Sequence, residues 1–201
     1  MITTSDIVFV PLTKEELDYC IDTSQHLAGY IVDRVDLHQR DELERFNNIL
    51  MGEVAEQMVI KWLRSEGKTA ESAVDKLSNQ PDFGHDIRLI KKNETEALCS
   101  VKSSLSYKLN LTQILNICRI ATKKSELRDI NIQVYFWLTL EPKANENRVT
   151  VPSIRQAAII GWFAQKDLIG FEKYKHEAGR EAPVEVLNNS RSMASLLQYL
   201  K

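Results

Sequence analysis

Pro81-Asp82-Phe83-Gly84-His85-Asp86-Ile87 and Leu98-Cys99-Ser100-Val101-Lys102-Ser103-Ser104 are the stretches on which the fold turns. They read as short strands, Phe83–Ile90 and Ala97–Ser103, and the polar run Lys91-Lys92-Asn93-Glu94 between them reads as the turn of a hairpin. Alternation along the second strand puts Ser100 and Lys102 on one face and Cys99 and Val101 on the other. A carboxylate at Asp86 faced by the Lys102 ammonium is a sensible way to hold a divalent metal beside a water. The metal takes hard oxygen ligands, and the lysine orients the water or stabilises charge that develops on a phosphate. Phosphodiester cleavage is the chemistry this pair implies.

Upstream, the chain reads as helix. Thr13 is a cap with Glu16 three residues on, as in a capping box, and Leu12 can pack against Leu17 as a hydrophobic staple. A helix is predicted from about Lys14 to about Val35, with a break near Gly29, and a second from about Asp41 to Glu66, stopped by Gly67. Phe46, Leu50, Val54, Met58 and Trp62 lie four apart on the second helix and read as its core stripe. Residues 68–80 are polar and read as an exposed loop or short helix. Downstream, Leu111–Lys124 reads as a helix, Asn131–Leu140 as a buried strand and Ala157–Trp162 as another apolar strand. Val184–Leu187 is a candidate last strand, and Ser190 or Ser192 caps a C-terminal helix containing Met193, Leu196, Leu197 and Leu200. A strand–helix–strand crossover after a hairpin gives a mixed sheet flanked by helices.

The chain has 201 residues, 43% hydrophobic and 27% charged, which fits one soluble domain with a full core. No apolar run is long enough to span a membrane. Met1–Asp6 lacks a charged leader and an apolar signal core, and Cys20, Cys99 and Cys118 form no CxxC pair, so a reduced cytoplasmic setting is expected. His26, His38, His85 and His176 lack zinc-ligand spacing. The net charge of −2 gives no argument for a polyanionic partner, but its distribution does. Residues 1–60 carry 4 basic against 12 acidic residues, whereas residues 86–128 carry 9 basic against 4 acidic. A local positive field around Asp86 and Lys102 suits a polyanion, although a solvated, charge-mixed surface would read the same way.

This order of elements, with these residues, resembles the PD-(D/E)XK, or restriction-endonuclease-like, nuclease superfamily. In that family a helix supplying a Glu packs beside a hairpin whose first strand carries a metal-binding Asp and whose second carries (D/E)-x-K. The matching stretches are Gly52-Glu53-Val54-Ala55-Glu56-Gln57, Asp82-Phe83-Gly84-His85-Asp86 and Ser100-Val101-Lys102. The resemblance covers about residues 41–140 and loosely reaches Gly161-Trp162, and each motif is short. It implies an α/β fold with a mixed central sheet flanked by helices. The whole chain 1–201 then forms a single domain, with 1–40 as an N-terminal helical extension and 41–140 holding the nuclease core motifs.

The implied catalytic residues are Asp86, Lys102, Glu56 and Ser100. The implied metal ligands are Asp86, Glu56 with Glu53 as the alternative, and the main-chain carbonyl of Val101, around Mg²⁺ or Mn²⁺. Glu53 and Glu56 are three apart and share a face; the family pattern favours Glu56. Asp82 reads as a turn residue after Pro81 rather than an outer ligand. Ser100 departs from the family, since Asp, Glu or sometimes Gln is expected there, and a hydroxyl is a weaker ligand for a hard cation. Glu96 is four residues from Ser100, about 13 Å at roughly 3.3 Å per residue, and is too far to substitute. DNA is the expected partner, through Ser103, Ser104, Lys108, Lys123 and Lys124, and the basic end of the Leu111–Lys124 helix contacts its backbone. Double-strand cutting implies a homodimer, and a restriction role implies a cognate methyltransferase. A non-catalytic DNA-binding or assembly module, with Ser100 marking lost catalysis, and a repair or recombination nuclease are the alternatives.

Overall fold

The computed structural model describes residues 1–29, 41–73, 76, 86–106, 108–137, 156–173 and 181–201. Its first strand, β1 (Val8–Pro11), is one the sequence pattern did not announce. Helix α1 (Lys14–Ala28) follows, and its capping box is complete: the Glu16 amide donates to Thr13 Oγ1 at 3.2 Å and the Thr13 amide to Glu16 Oε2 at 2.8 Å. Leu12 and Leu17 both pack, partly buried, on the core. Helix α2 (Glu42–Ser65) starts on Asp41, whose Oδ1 accepts from the Glu44 amide at 2.8 Å. It stops at Gly67, which takes φ 74° while the amides of Gly67 and Lys68 close back on the carbonyls of Arg64 and Leu63. That is a Schellman stop, for which the missing Cβ suits glycine.

The remaining elements are β2 (Ala70–Ser72), β3 (Ile87–Ile90), β4 (Glu96–Ser106), α3 (Leu111–Ile117), β5 (Ile130–Trp137), β6 (Gln156–Ala164), β7 (Phe171–Lys173), β8 (Glu181–Pro183) and α4 (Met193–Tyr199). Six strands form a mixed sheet in the order β1-β6-β5-β4-β3-β2, and β7 and β8 form a separate hairpin. The β4–β5 pair is parallel, with Lys102 level with Gln133, and its crossover carries α3; the other pairs in the sheet are antiparallel.

The sheet separates two cores. On one face Ala97, Cys99 and Val101 of β4 and Ile130, Ile132, Val134 and Phe136 of β5 pack with Leu50, Val54, Met58 and Leu63 of α2 and with Met193 and Leu196 of α4. On the other face Tyr135, Ala158, Ile160 and Phe163 pack with Ile114 and Leu115 of α3 and with Ile120 and Leu187. A register shift between Gln133 and Val134 places an extra residue in β6, so Trp162 turns to the α2 face and Phe163 away from it. Among the described residues no helix is long and apolar enough to cross a membrane.

Several boundaries differ from expectation for identifiable reasons. The helix predicted to reach Lys124 ends at Ile117. Cys118 is extended (φ −85°, ψ 154°), its carbonyl accepts from the Leu187 amide, Arg119 bridges Val186, and Ile120 is buried, so tertiary pairing replaces the last helical turns. Residues 68–80 were expected as loop or short helix, yet Ala70–Ser72 adds an edge strand to β3, with Ala70 buried. The last strand is Glu181–Pro183 rather than Val184–Leu187, because the Phe171–Lys173 strand pairs there; Leu187 begins a 3-10 turn. The expected extensions to Val35, back to Phe83 and on to Leu140, with Asp82, lie outside the described residues.

Candidate functional site

Asp86 sits at the point where β3 begins. Its amide donates to the Cys99 carbonyl at 2.9 Å, its carbonyl accepts from the Ala73 amide at 2.9 Å, and its Oδ2 accepts from the Val101 amide at 2.6 Å. The carboxylate therefore caps the edge of β4 just beyond the last ladder pair, Ile87 with Cys99. The N–H and C=O of one strand residue point toward the same neighbour, so the Val101 carbonyl also faces this edge. Two hard oxygen donors thus share one end of the β3–β4 hairpin.

Lys102 is one residue further along β4, on the opposite face from Val101. Its ammonium reaches Glu126, at 3.0 Å from Oε2, in a partly buried ion pair. The register puts Lys102 beside Gln133 and Ser100 beside Asn131. Asn131 and Gln133 are buried, and they hold the segment that covers this face. Asn131 Oδ1 accepts from the Arg128 amide at 3.0 Å and Gln133 Oε1 from the Ala121 amide at 3.0 Å. Ser100 lies under that cover, with 1% of its surface exposed. The position where an acid is expected is closed.

Glu53 and Glu56 are buried on α2, and both bond the ammonium of Lys76, at 2.6 Å and 2.7 Å. Burial pushes the Glu56 carboxyl up to about 7; Lys76 pulls it down, the neighbouring Glu53 charge pushes it up and a Ser72 hydrogen bond pulls it down. Burial works against the charge on Lys76, but the two carboxylates outweigh it and raise its pKa above the usual value. Cys20 of α1 faces the same cluster, and burial followed by the Glu53 charge pushes its thiol up to about 12. Cys99 is fully buried, and its thiol is raised by burial, then by Asp86, then by Glu56. The helix and strand carboxylates thus flank one inert thiol.

The expected phosphate contacts fall in different places. Ser103 and Ser104 alternate onto opposite faces of β4, and Ser104 Oγ accepts from Gln133 Nε2 at 3.1 Å. Lys108 is exposed between β4 and α3. Lys123 and Lys124 lie beside the 3-10 turn Lys124–Glu126, not on the end of α3 as expected, because α3 stops at Ile117.

The donor chemistry suits a hard divalent cation: Asp86, the Val101 carbonyl, and the Glu53 and Glu56 oxygens that lack a hydrogen-bond partner among the described residues. Those donors are not gathered, since among the described residues no three Asp, Glu, His or Cys side chains converge on one point. Lys76 and Glu126 are the participants that sequence reading missed. Lys76 lies in a polar stretch with no motif, and Glu126 is one of only four acids within the basic 86–128 segment. Asn131 and Gln133 did leave a signal, as polar residues inside an otherwise apolar strand.

Comparison with protein-family models, with curated proteins and with solved structures gives no match in any of the three.

Proposed function

We propose that this protein is a metal-dependent DNA endonuclease, of the small restriction-like type, that hydrolyses phosphodiester bonds. The observation that carries the proposal is the joint placement of Asp86 and the Val101 main chain at the open end of the β3–β4 hairpin, with Lys102 next in line on β4. The mixed sheet, with α2 against β4 and a helical crossover to parallel β5, supports the restriction-endonuclease-like assignment by its order of elements. Asp86, Glu56, Glu53 and the Val101 carbonyl are the residues that would hold Mg²⁺ or Mn²⁺. Such an ion, when bound, supplies Lewis-acid stabilisation and an activated water. Lys102, which leaves β4 on the face away from α2, would reach round the strand edge from its Glu126 pair to orient that water and balance charge on a phosphate oxygen. Glu126 holds the ammonium in place at 3.0 Å. A homodimer would bring two such sites to one duplex.

A second reading has its own observation. Ser100 is buried where an acid is expected, and the α2 glutamates are occupied by Lys76, which favours a DNA-binding or assembly module without catalysis.

The test is incubation of the protein with plasmid, linear and branched DNA in Mg²⁺ or Mn²⁺, alongside Asp86→Ala and Lys102→Ala. Cutting that both substitutions remove supports the endonuclease, and preference for branched DNA assigns it to repair or recombination. DNA binding without cutting in either metal assigns the second reading. Neither binding nor cutting refutes both.

A further inference from the structure

Lys76 stands beyond β2 and reaches back to α2. Its Nζ lies 2.6 Å from Glu53 Oε1 and 2.7 Å from Glu56 Oε2. The side chains are 12%, 7% and 5% exposed for Lys76, Glu53 and Glu56, so all three are withdrawn from water. One ammonium meets each of the two carboxyls through a single oxygen. That leaves Glu53 Oε2 and Glu56 Oε1 without a hydrogen-bond partner among the described residues. Buried carboxylate oxygens are rarely left so, because the desolvation they suffer is uncompensated.

The neighbouring helix adds a further donor. The Lys61 ammonium binds Glu16 across α1 and α2 at 2.8 Å, and Ser24 lies one turn beyond Cys20, which faces the glutamate pair. Ser24 Oγ is likewise buried and without a partner among the described residues. Hard, unused oxygens and a single monovalent charge together describe a cation site that is only half satisfied. Four carboxylate oxygens suit a divalent ion better than three N–H donors do.

We propose that Lys76 is the resident cation of the Glu53–Glu56 pair, and that a divalent ion reaches these glutamates only by displacing its ammonium. The inference rests on reading the pair as metal ligands, the part of the proposed function that concerns binding rather than cleavage. It makes the site self-capped. Without metal, the lysine holds the glutamates together; with metal, the lysine is released and its charge becomes available elsewhere. The lysine stem is flexible and Lys76 lies outside helix and sheet, so displacement does not require α2 to move.

The experiment is calorimetric titration of Mn²⁺ into the wild type and into Lys76→Met, with thermal unfolding followed at each metal concentration. Lys76→Met is expected to bind Mn²⁺ roughly 10–100-fold more tightly, the range over which residues around a metal site alter affinity. The gain should disappear when Glu53→Gln and Glu56→Gln are added. Unchanged or weaker binding in a folded Lys76→Met overturns the proposal. If removal of the ammonium unfolds the protein, Mn²⁺ must refold it, because an ion that replaces the lysine must also replace its stabilisation. A variant that stays unfolded in millimolar Mn²⁺ overturns the proposal too. Cleavage is read separately. Asp86-dependent cutting with no Lys76 effect on metal affinity keeps the nuclease and removes this device. Tightened metal binding without cutting keeps the device and removes the nuclease.

Discussion

Arg191 grips Asp167 with two parallel bonds, Nε to Oδ2 at 2.7 Å and Nη2 to Oδ1 at 2.8 Å, while its guanidinium lies 5.0 Å from the centre of the Trp162 ring. The same carboxylate accepts from the Ala164 amide at 2.9 Å, so one acid ties the segment before α4 to the end of β6. Burial alone would raise the Asp167 pKa, but the Arg191 hydrogen bonds, then that of Ala164, then the Arg191 charge hold it below the usual 3.8. A lowered folded pKa gives stability that is present above 3.8 and is lost as pH falls below it through the folded value. Asp167→Asn should therefore cost of order 1 kcal/mol near neutrality, in keeping with a partly exposed pair. Denaturant titrations of both proteins from pH 7 downward should converge below pH 3.8.

Gly161 is required by close approach rather than by backbone conformation. A Cβ there would lie 2.4 Å from Ser190 Oγ and 2.7 Å from the Arg191 carbonyl oxygen. The serine hydroxyl can rotate away, but the carbonyl cannot, since it accepts from the Trp162 amide at 3.0 Å. Gly161→Ala should destabilise by roughly 1–3 kcal/mol, the usual cost of overpacking. Gly52, inside α2 with nothing within 4 Å of its would-be Cβ, is the contrast. Gly52→Ala should stabilise by about 0.4–1 kcal/mol. Thermal melts of the two variants should move in opposite directions.

Ser100→Glu tests whether the missing acid can be restored. The position is 1% exposed and covered by the segment that Asn131 and Gln133 hold, so a larger, charged side chain must both displace that cover and lose its hydration. The substitution should cost at least about 3 kcal/mol, whereas Ser100→Ala should stay within about 1 kcal/mol. Equal melting temperatures for the two variants would show that the site is more open than its cover implies. If Ser100→Glu survives folding and tightens Mn²⁺ binding, the serine is a true vacancy in a ligand set.

DNA binding, where found, should weaken as salt rises. Lys123 and Lys124 adjoin the Lys102–Glu126 pair through the turn Lys124–Glu126, so their charges lie near the proposed site without belonging to α3. Replacing both by Gln should lower the slope of log affinity against log salt by up to about 1.8, if each contacts one phosphate. An unchanged slope, measured by fluorescence anisotropy on a fixed duplex, would place the DNA elsewhere.

The local signals in the chain were strong where one residue type serves one purpose. Thr13 with Glu16, Gly67 after Ser65 and Ser192 before Met193 each mark an end that the structure places there. The four-residue spacing on α2 identified its buried face. Pairings between distant segments were not legible. β1 has only four residues, and it is a strand because β6 lies beside it. Residues 118–123 have an apolar helical pattern that bridges to Val186 and Leu187 override. At the site, the Ser100–Lys102 relation followed from strand alternation, whereas the Val101 amide bond to Asp86 had no sequence signal. The partners of Glu53, Glu56 and Lys102 could not follow, because Lys76 and Glu126 approach from loops whose course no periodicity encodes.

The pairing of Val8 with Ile159 sets an order of events during synthesis. At about 5–20 residues per second, roughly 8–30 s separate the appearance of the two segments from the ribosome. The α2, β3, β4 and β5 framework is complete well before then, and β6 must arrive and zip onto β5 before β1 has an edge to join. Through that interval Val8, Phe9 and Val10 form an apolar strand with no ladder. This strand is made early and paired late, so its ladder hydrogen bonds wait for β6.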